Sequence, residues 1–90
     1  MGKFLAVHPF PSPVSLEEGA PIAKAVKASS TLDAYWVGSW AQLNKDGKIT
    51  KLTCEWNAKD IESIQKVLKN IPLPTEGIYP MVKIDAEAYR

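Results

Sequence analysis

The chain has 90 residues, 46% of them hydrophobic, with 11 Lys and Arg against 10 Asp and Glu for a net charge of +1, and one cysteine. That length predicts one domain over residues 1–90 with a modest core, burying only about 60 to 65% of the surface the unfolded chain exposes. Balanced charge without a dense basic run excludes a nucleic-acid partner, the lone Cys54 excludes an internal disulfide, and the lack of a long apolar leader predicts a cytoplasmic protein with no membrane partner.

Lys3 to His8 alternates in side-chain direction as a strand does, with Leu5 and Val7 on one side and Phe4, Ala6 and His8 on the other. Pro9, Pro11 and Pro13 are expected to end it. Ser15 and Glu18 have capping-box spacing, and Ile22, Ala23 and Val26 supply an apolar stripe for a first helix ending near Ser30. Pro21 predicts that its regular part starts only around Ala20. Ala34 to Leu43 is rich in β-favouring side chains, and Asn44-Lys45-Asp46-Gly47 is turn chemistry leading into a strand from Lys48 to Trp56. In this hairpin Tyr35, Val37 and Ser39 are expected to share a face with Leu52, Cys54 and Trp56. Trp36, Gly38 and Trp40 are expected opposite, with Lys51, Thr53 and Glu55.

Asn57 is placed to cap a second helix, with Asp60 three residues on and Ile61, Ile64 and Leu68 as its inner stripe. Two prolines make Ile71 to Gly77 a loop, and Ile78 to Ile84 reads as a fourth strand that Pro80 confines to a sheet edge. Asp85 to Arg90 reads as a short tail.

Strand, helix, strand, strand, helix, strand is the ferredoxin-like α+β plan, with four antiparallel strands in the order 4-1-3-2 and both helices on one face. Leu5, Val7, Leu52, Cys54, Trp56, Val82 and Ile84 are assigned to the helix side. Phe4, Ala6, His8, Trp36, Trp40, Glu55, Tyr79 and Met81 are assigned to the other, which no helix covers. So much apolar surface predicts a second copy packed there, giving a homodimeric α+β barrel with room for a small ligand. With the first and third strands taken as parallel neighbours, His8, Glu55, Trp36 and Tyr79 converge at one rim of that cavity.

Lys3-Phe4-Leu5-Ala6-Val7-His8, together with Cys54-Glu55 running towards a helix, resembles a family of small ferredoxin-like domains of unknown function that includes a nickel-responsive, nickel-binding member. The wider group is the dimeric α+β barrel superfamily, which also holds cofactor-independent monooxygenases. The resemblance implies roles for His8 and Glu55. The chain departs from the family pattern at Pro9, where a second histidine often follows the first, and at Trp56-Asn57.

One His and one Glu per chain fall short of the three or four ligands that zinc or nickel sites use, so neither metal nor cofactor is expected. No HExxH, CxxC, P-loop, dinucleotide fingerprint or GxSxG element occurs. The leading expectation is a small-molecule site over the open face, lined by Phe4, His8, Trp36, Trp40, Glu55, Tyr79 and Met81. The alternatives are a monooxygenase-type or isomerase-type enzyme with His8 and Glu55 as candidate catalytic groups, a transition-metal-binding protein, and a structural dimer whose interior is packed solid. Against a role for His8 stands an ordinary interface hydrogen bond, and against one for Glu55 a cross-strand pair with Lys51 or Lys83. Cys54 reads as a small buried hydrophobe.

Overall fold

The computed structural model covers residues 1–90 and contains β1 (Gly2–Val14), α1 (Leu16–Ser29), β2 (Ala34–Leu43), β3 (Ile49–Ala58), α2 (Ile61–Leu68) and β4 (Gly77–Met81), then a 3-10 helix over Ala86–Tyr89. The strands make one antiparallel sheet in the order β2-β3-β1-β4. Val26 of α1 and Ile64 and Val67 of α2 share one core with Ala6, Ala34, Cys54, Trp56 and Ala58 of the strands, so both helices cover the same sheet face. This is the ferredoxin-like α+β fold. Extents of 36 × 36 × 19 Å leave room for two layers only, and the second face of the sheet carries no helix. No helix is long and apolar enough to cross a membrane.

Local chemistry sets the element ends. The Ser15 hydroxyl accepts from the Glu18 amide at 3.0 Å while the Glu18 carboxylate accepts from the Ser15 amide at 2.9 Å, a complete capping box. In the hairpin turn the Asn44 carboxamide oxygen accepts from the amides of Asp46 and Lys48, and Gly47 takes the left-handed φ of 75°.

Several boundaries differ from the sequence expectation. β1 does not stop at Pro9 but runs to Val14. β4 lies beside β1 only from Lys3 to Val7, so beyond that point one edge of β1 is free and prolines at 9, 11 and 13 remove no bond to β4. α1 begins at Leu16 and contains Pro21. The bond that Pro21 cannot make would go to the Glu17 carbonyl, and both residues are exposed, so water can take its place. α2 is capped by Asp60, whose carboxylate accepts from the Ser63 amide at 2.8 Å, while Asn57 stays in β3 and donates to the Tyr35 hydroxyl. The buried positions of α2 are Ile64 and Val67, with Ile61 and Leu68 only half-buried. β4 ends at Met81, leaving Val82 and Ile84 exposed.

The two sheet faces also need correction. β1 and β3 are antiparallel, with Leu5 opposite Glu55 and His8 opposite Leu52. Ala6 and His8 are fully buried and Phe4 packs against the helix-side core, so it is Leu5 and Val7 that lie on the open face. Opposite Phe4 and Ala6 on β3 stand Trp56 and Cys54, which belong to the same core. In β2 a bulge at Val37 puts two residues opposite one of β3, so Trp36 faces the helices and so does Ser39. Gly38 and Trp40 then fall on the open face. A second irregularity, at Thr50, turns Ile49 inward.

Gly19 lies inside α1 at an ordinary helical φ, and a Cβ added there would meet nothing nearer than the Ile49 side chain at 3.9 Å. Gly19→Ala is therefore expected to raise unfolding stability by about 0.5–1 kcal/mol, measured by urea denaturation.

Candidate functional site

Of the residues expected to line a ligand site, Trp40, Glu55, Tyr79 and Met81 lie on the open face, whereas Phe4, His8 and Trp36 lie beneath the helices. The constellation of His8, Glu55, Trp36 and Tyr79 does not assemble. The antiparallel register offsets His8 from Glu55 along the strands, and the pleat sends them to opposite sides of the sheet. Glu55 pairs with Lys3 on the neighbouring strand, and not with Lys51 or Lys83. His8 and Glu55 therefore do not fit a shared nickel site, since their donor atoms face away from each other.

The helix side holds a different arrangement. A cavity of about 250 Å³ lies between α1 and the sheet, lined by 18 residues of which 15 are hydrophobic. The other three are His8, Gly19 and Ser39, so no charged side chain faces it apart from any charge His8 itself acquires. It exists because α1 meets the sheet unevenly. Only Val26, towards the C-terminal end of the helix, is buried, while the preceding turns set the small residues Gly19 and Ala23 against the gap, where larger side chains would close it. Leu16 and Ala20 of α1 and Ser39 and Ala41 of β2 are the exposed members of the lining and make its rim.

His8 is fully buried, and its hydrogen bonds fix its tautomer. Nδ1 lies 3.0 Å from the Pro74 carbonyl oxygen, which can only accept, so Nδ1 carries the proton. The same N–H lies 3.1 Å from the Thr75 hydroxyl, whose own proton goes to the Leu73 carbonyl at 3.2 Å. Nε2 is then a bare lone pair, buried and without a partner. Burial pulls the His8 pKa below its ordinary 6.5, with the Pro74 contact opposing that shift in part, which keeps the ring neutral at pH 7. Trp56, also fully buried and also lining the cavity, has an indole N–H with no acceptor.

Elsewhere the polar groups of the cavity are paired. Trp36 Nε1 donates to the Ser39 hydroxyl at 2.8 Å, and that hydroxyl donates to Cys54 Sγ at 3.0 Å. Burial pushes the Cys54 thiol up, so it remains a neutral wall group. His8 and Trp56 belong to the lining, but their unpartnered nitrogens are sealed from solvent-sized groups, so the accessible wall is almost entirely apolar. Sequence reasoning puts Trp56 on the helix side and Ile22, Ala23 and Val26 on the inner stripe of α1, but assigns none of them to a site. The spacing of Gly19, Ala20 and Ala23 on one helix side was the available signal.

No family model matches the chain, and no curated protein matches it. Among solved structures, the crystal structure of SCO4226 from Streptomyces coelicolor A3(2) is similar, with a TM-score of 0.74 and 14% sequence identity over 92% of this chain and 99% of that one. The two chains share a fold. At that identity the likeness reaches the arrangement of strands and helices and no further.

The pH dependence of stability follows from His8, the only histidine. Its native pKa is depressed, so between that value and 6.5 the unfolded chain binds a proton that the native protein does not. Its contribution is complete above pH 6.5 and is lost as pH falls through the native pKa. Denaturant midpoints measured from pH 7.5 down to 5.5 should fall for the wild type and stay flatter for His8→Gln.

Proposed function

We propose that this protein binds a small, largely apolar molecule in the cavity between α1 and the sheet. The observation that carries this reading is the cavity itself, about 250 Å³ with 15 apolar residues among its 18 and no Lys, Arg, Asp or Glu in its lining, the kind of concave apolar site that small ligands fill. The site lies on the opposite side of the sheet from the one the sequence pointed to.

The open face supports a second role, contact with another copy of the chain. Trp40 there is 83% exposed, and Tyr35, Tyr79 and Met81 lie on the same face. The chain exposes 6335 Å², against about 5,200 Å² expected of a folded monomer of its mass. The excess is on the order of the 800 Å² per partner that a standard interface buries. In this reading the ligand cavities of a homodimer lie outside the interface, one per chain, each beneath its own helices.

Two measurements test these roles separately. A panel of one- and two-ring aromatic compounds, polar and apolar, should include members that raise the melting temperature of the wild type, and Ala23→Leu, which fills the cavity, should remove the effect while still folding. A panel without any such compound contradicts the cavity reading. Light scattering coupled to gel filtration should give a dimer for the wild type and a monomer for Trp40→Asp. A wild-type monomer contradicts the second role and leaves the first untouched.

A further inference from the structure

We propose that the arm formed by residues 82–90 belongs to the contact between copies: in the homodimer it leaves its own chain and packs Val82, Ile84 and Tyr89 against the partner copy. This rests on the open face being the dimer contact, and it names the segment that completes that contact.

Three apolar side chains without a surface to cover are the first observation. Every residue from Met81 to Arg90 is exposed, with Val82 at 80%, Ile84 at 74% and Tyr89 at 77%. One large apolar side chain in water is ordinary, but three in one short segment mark an interaction site. No hydrogen bond joins residues 82–90 to the rest of the chain, since those the arm makes stay within it.

The arm is nonetheless ordered at its far end. The Asp85 carboxylate accepts from the Glu87 amide at 3.1 Å, the Ala88 amide donates to the Asp85 carbonyl at 3.1 Å, and Arg90 Nε donates to the Glu87 carboxylate at 2.8 Å. A turn formed beforehand leaves less conformational entropy to lose on docking.

Position selects the occupant. The arm continues β4, an edge strand whose Tyr79 and Met81 lie on the open face, so it leaves the body at the border of that face. Residues 82–85 contain neither helix nor turn and span about 13 Å at full extension, more than the roughly 10 Å between two sheets packed face to face. An arm that starts on one sheet therefore reaches the other copy. Its own body, although nearer, covers none of the three apolar side chains. The radius of gyration of 13.8 Å, against about 12 Å for a compact chain of this length, fits a segment that finds its contacts elsewhere. Charge disfavours other partners: Lys83 and Arg90 balance Asp85 and Glu87, so the arm has no net charge to draw it to a nucleic acid or an anionic membrane.

The direct test is a photoreactive benzoylphenylalanine in place of Tyr89, in ¹⁴N and ¹⁵N chains refolded together and irradiated at a concentration where the wild type is dimeric. Mass spectrometry of the digest should find peptides joining a light chain to a heavy one. Cross-links confined to one chain, or no cross-links, overturn the assignment of the arm while the dimer stands. As a second readout, Val82→Ser, Ile84→Ser and Tyr89→Ser combined should raise the dimer dissociation constant at least tenfold in sedimentation equilibrium. All three side chains are exposed in the single chain, so this variant should keep the wild-type circular-dichroism spectrum. An unchanged dissociation constant overturns the assignment as well. A wild type that sediments as a monomer removes the dimer reading itself, and the arm assignment falls with it.

Discussion

The antiparallel register of β1 against β3, with Gly2 opposite Ala58 and Pro9 opposite Lys51, fixes the content of both sheet faces. Because side chains alternate along a strand, that one ladder sends Phe4, Ala6 and His8 towards the helices together with Leu52, Cys54 and Trp56, and leaves Lys3, Leu5, Thr53 and Glu55 on the far side. The Lys3–Glu55 pair then belongs to the open face, and the only imidazole belongs to the interior. Shifting the register by one residue would exchange these sets and dismantle the core.

The interior so defined is small, with ten buried residues out of 90, and it contains an unfilled space. Native domains are stable by only about 5–15 kcal/mol, so two unpaired buried nitrogens and a cavity are a considerable fraction of what is available. Such features are found where function requires them. The capping box, the Asp60 cap and the Asn44 turn, by contrast, satisfy their backbone groups with good geometry. In the lining of the cavity Trp36, Ser39 and Cys54 are paired in a short chain of hydrogen bonds.

Much of the fold was legible in the sequence, because local chemistry specifies it. Ser15 with Glu18, the Asn44 to Gly47 turn and Pro80 on an edge strand follow from residue types at fixed spacing, and the strand order from the ferredoxin-like plan that the order of elements matches. The site was not legible, for three physical reasons. Alternation gives the two faces of β1 but not which one is covered, and Leu5 and Val7 are expected on the helix side that Phe4, Ala6 and His8 occupy. The bulge at Val37 reverses the alternation inside β2, so Trp36 and Trp40 part company although four residues separate them. Finally, taking β1 and β3 as parallel brought His8 and Glu55 together, whereas the observed direction separates them. What remained readable was a helix with small residues on its inner side, a pattern that marks a gap only once the sheet beneath it is known.

The most direct measurement is the ¹⁵N spectrum of the His8 imidazole in the ligand-free protein, followed from pH 8 to pH 5. It reports the protonation of both ring nitrogens at the residue on which the account depends. The account predicts one neutral tautomer at pH 7, with the proton on Nδ1 and a bare Nε2, and protonation only below pH 6.5. A proton on Nε2, or an imidazolium at pH 7, would mean that the Pro74 carbonyl does not hold the proton at Nδ1 in a buried neutral ring and would contradict it.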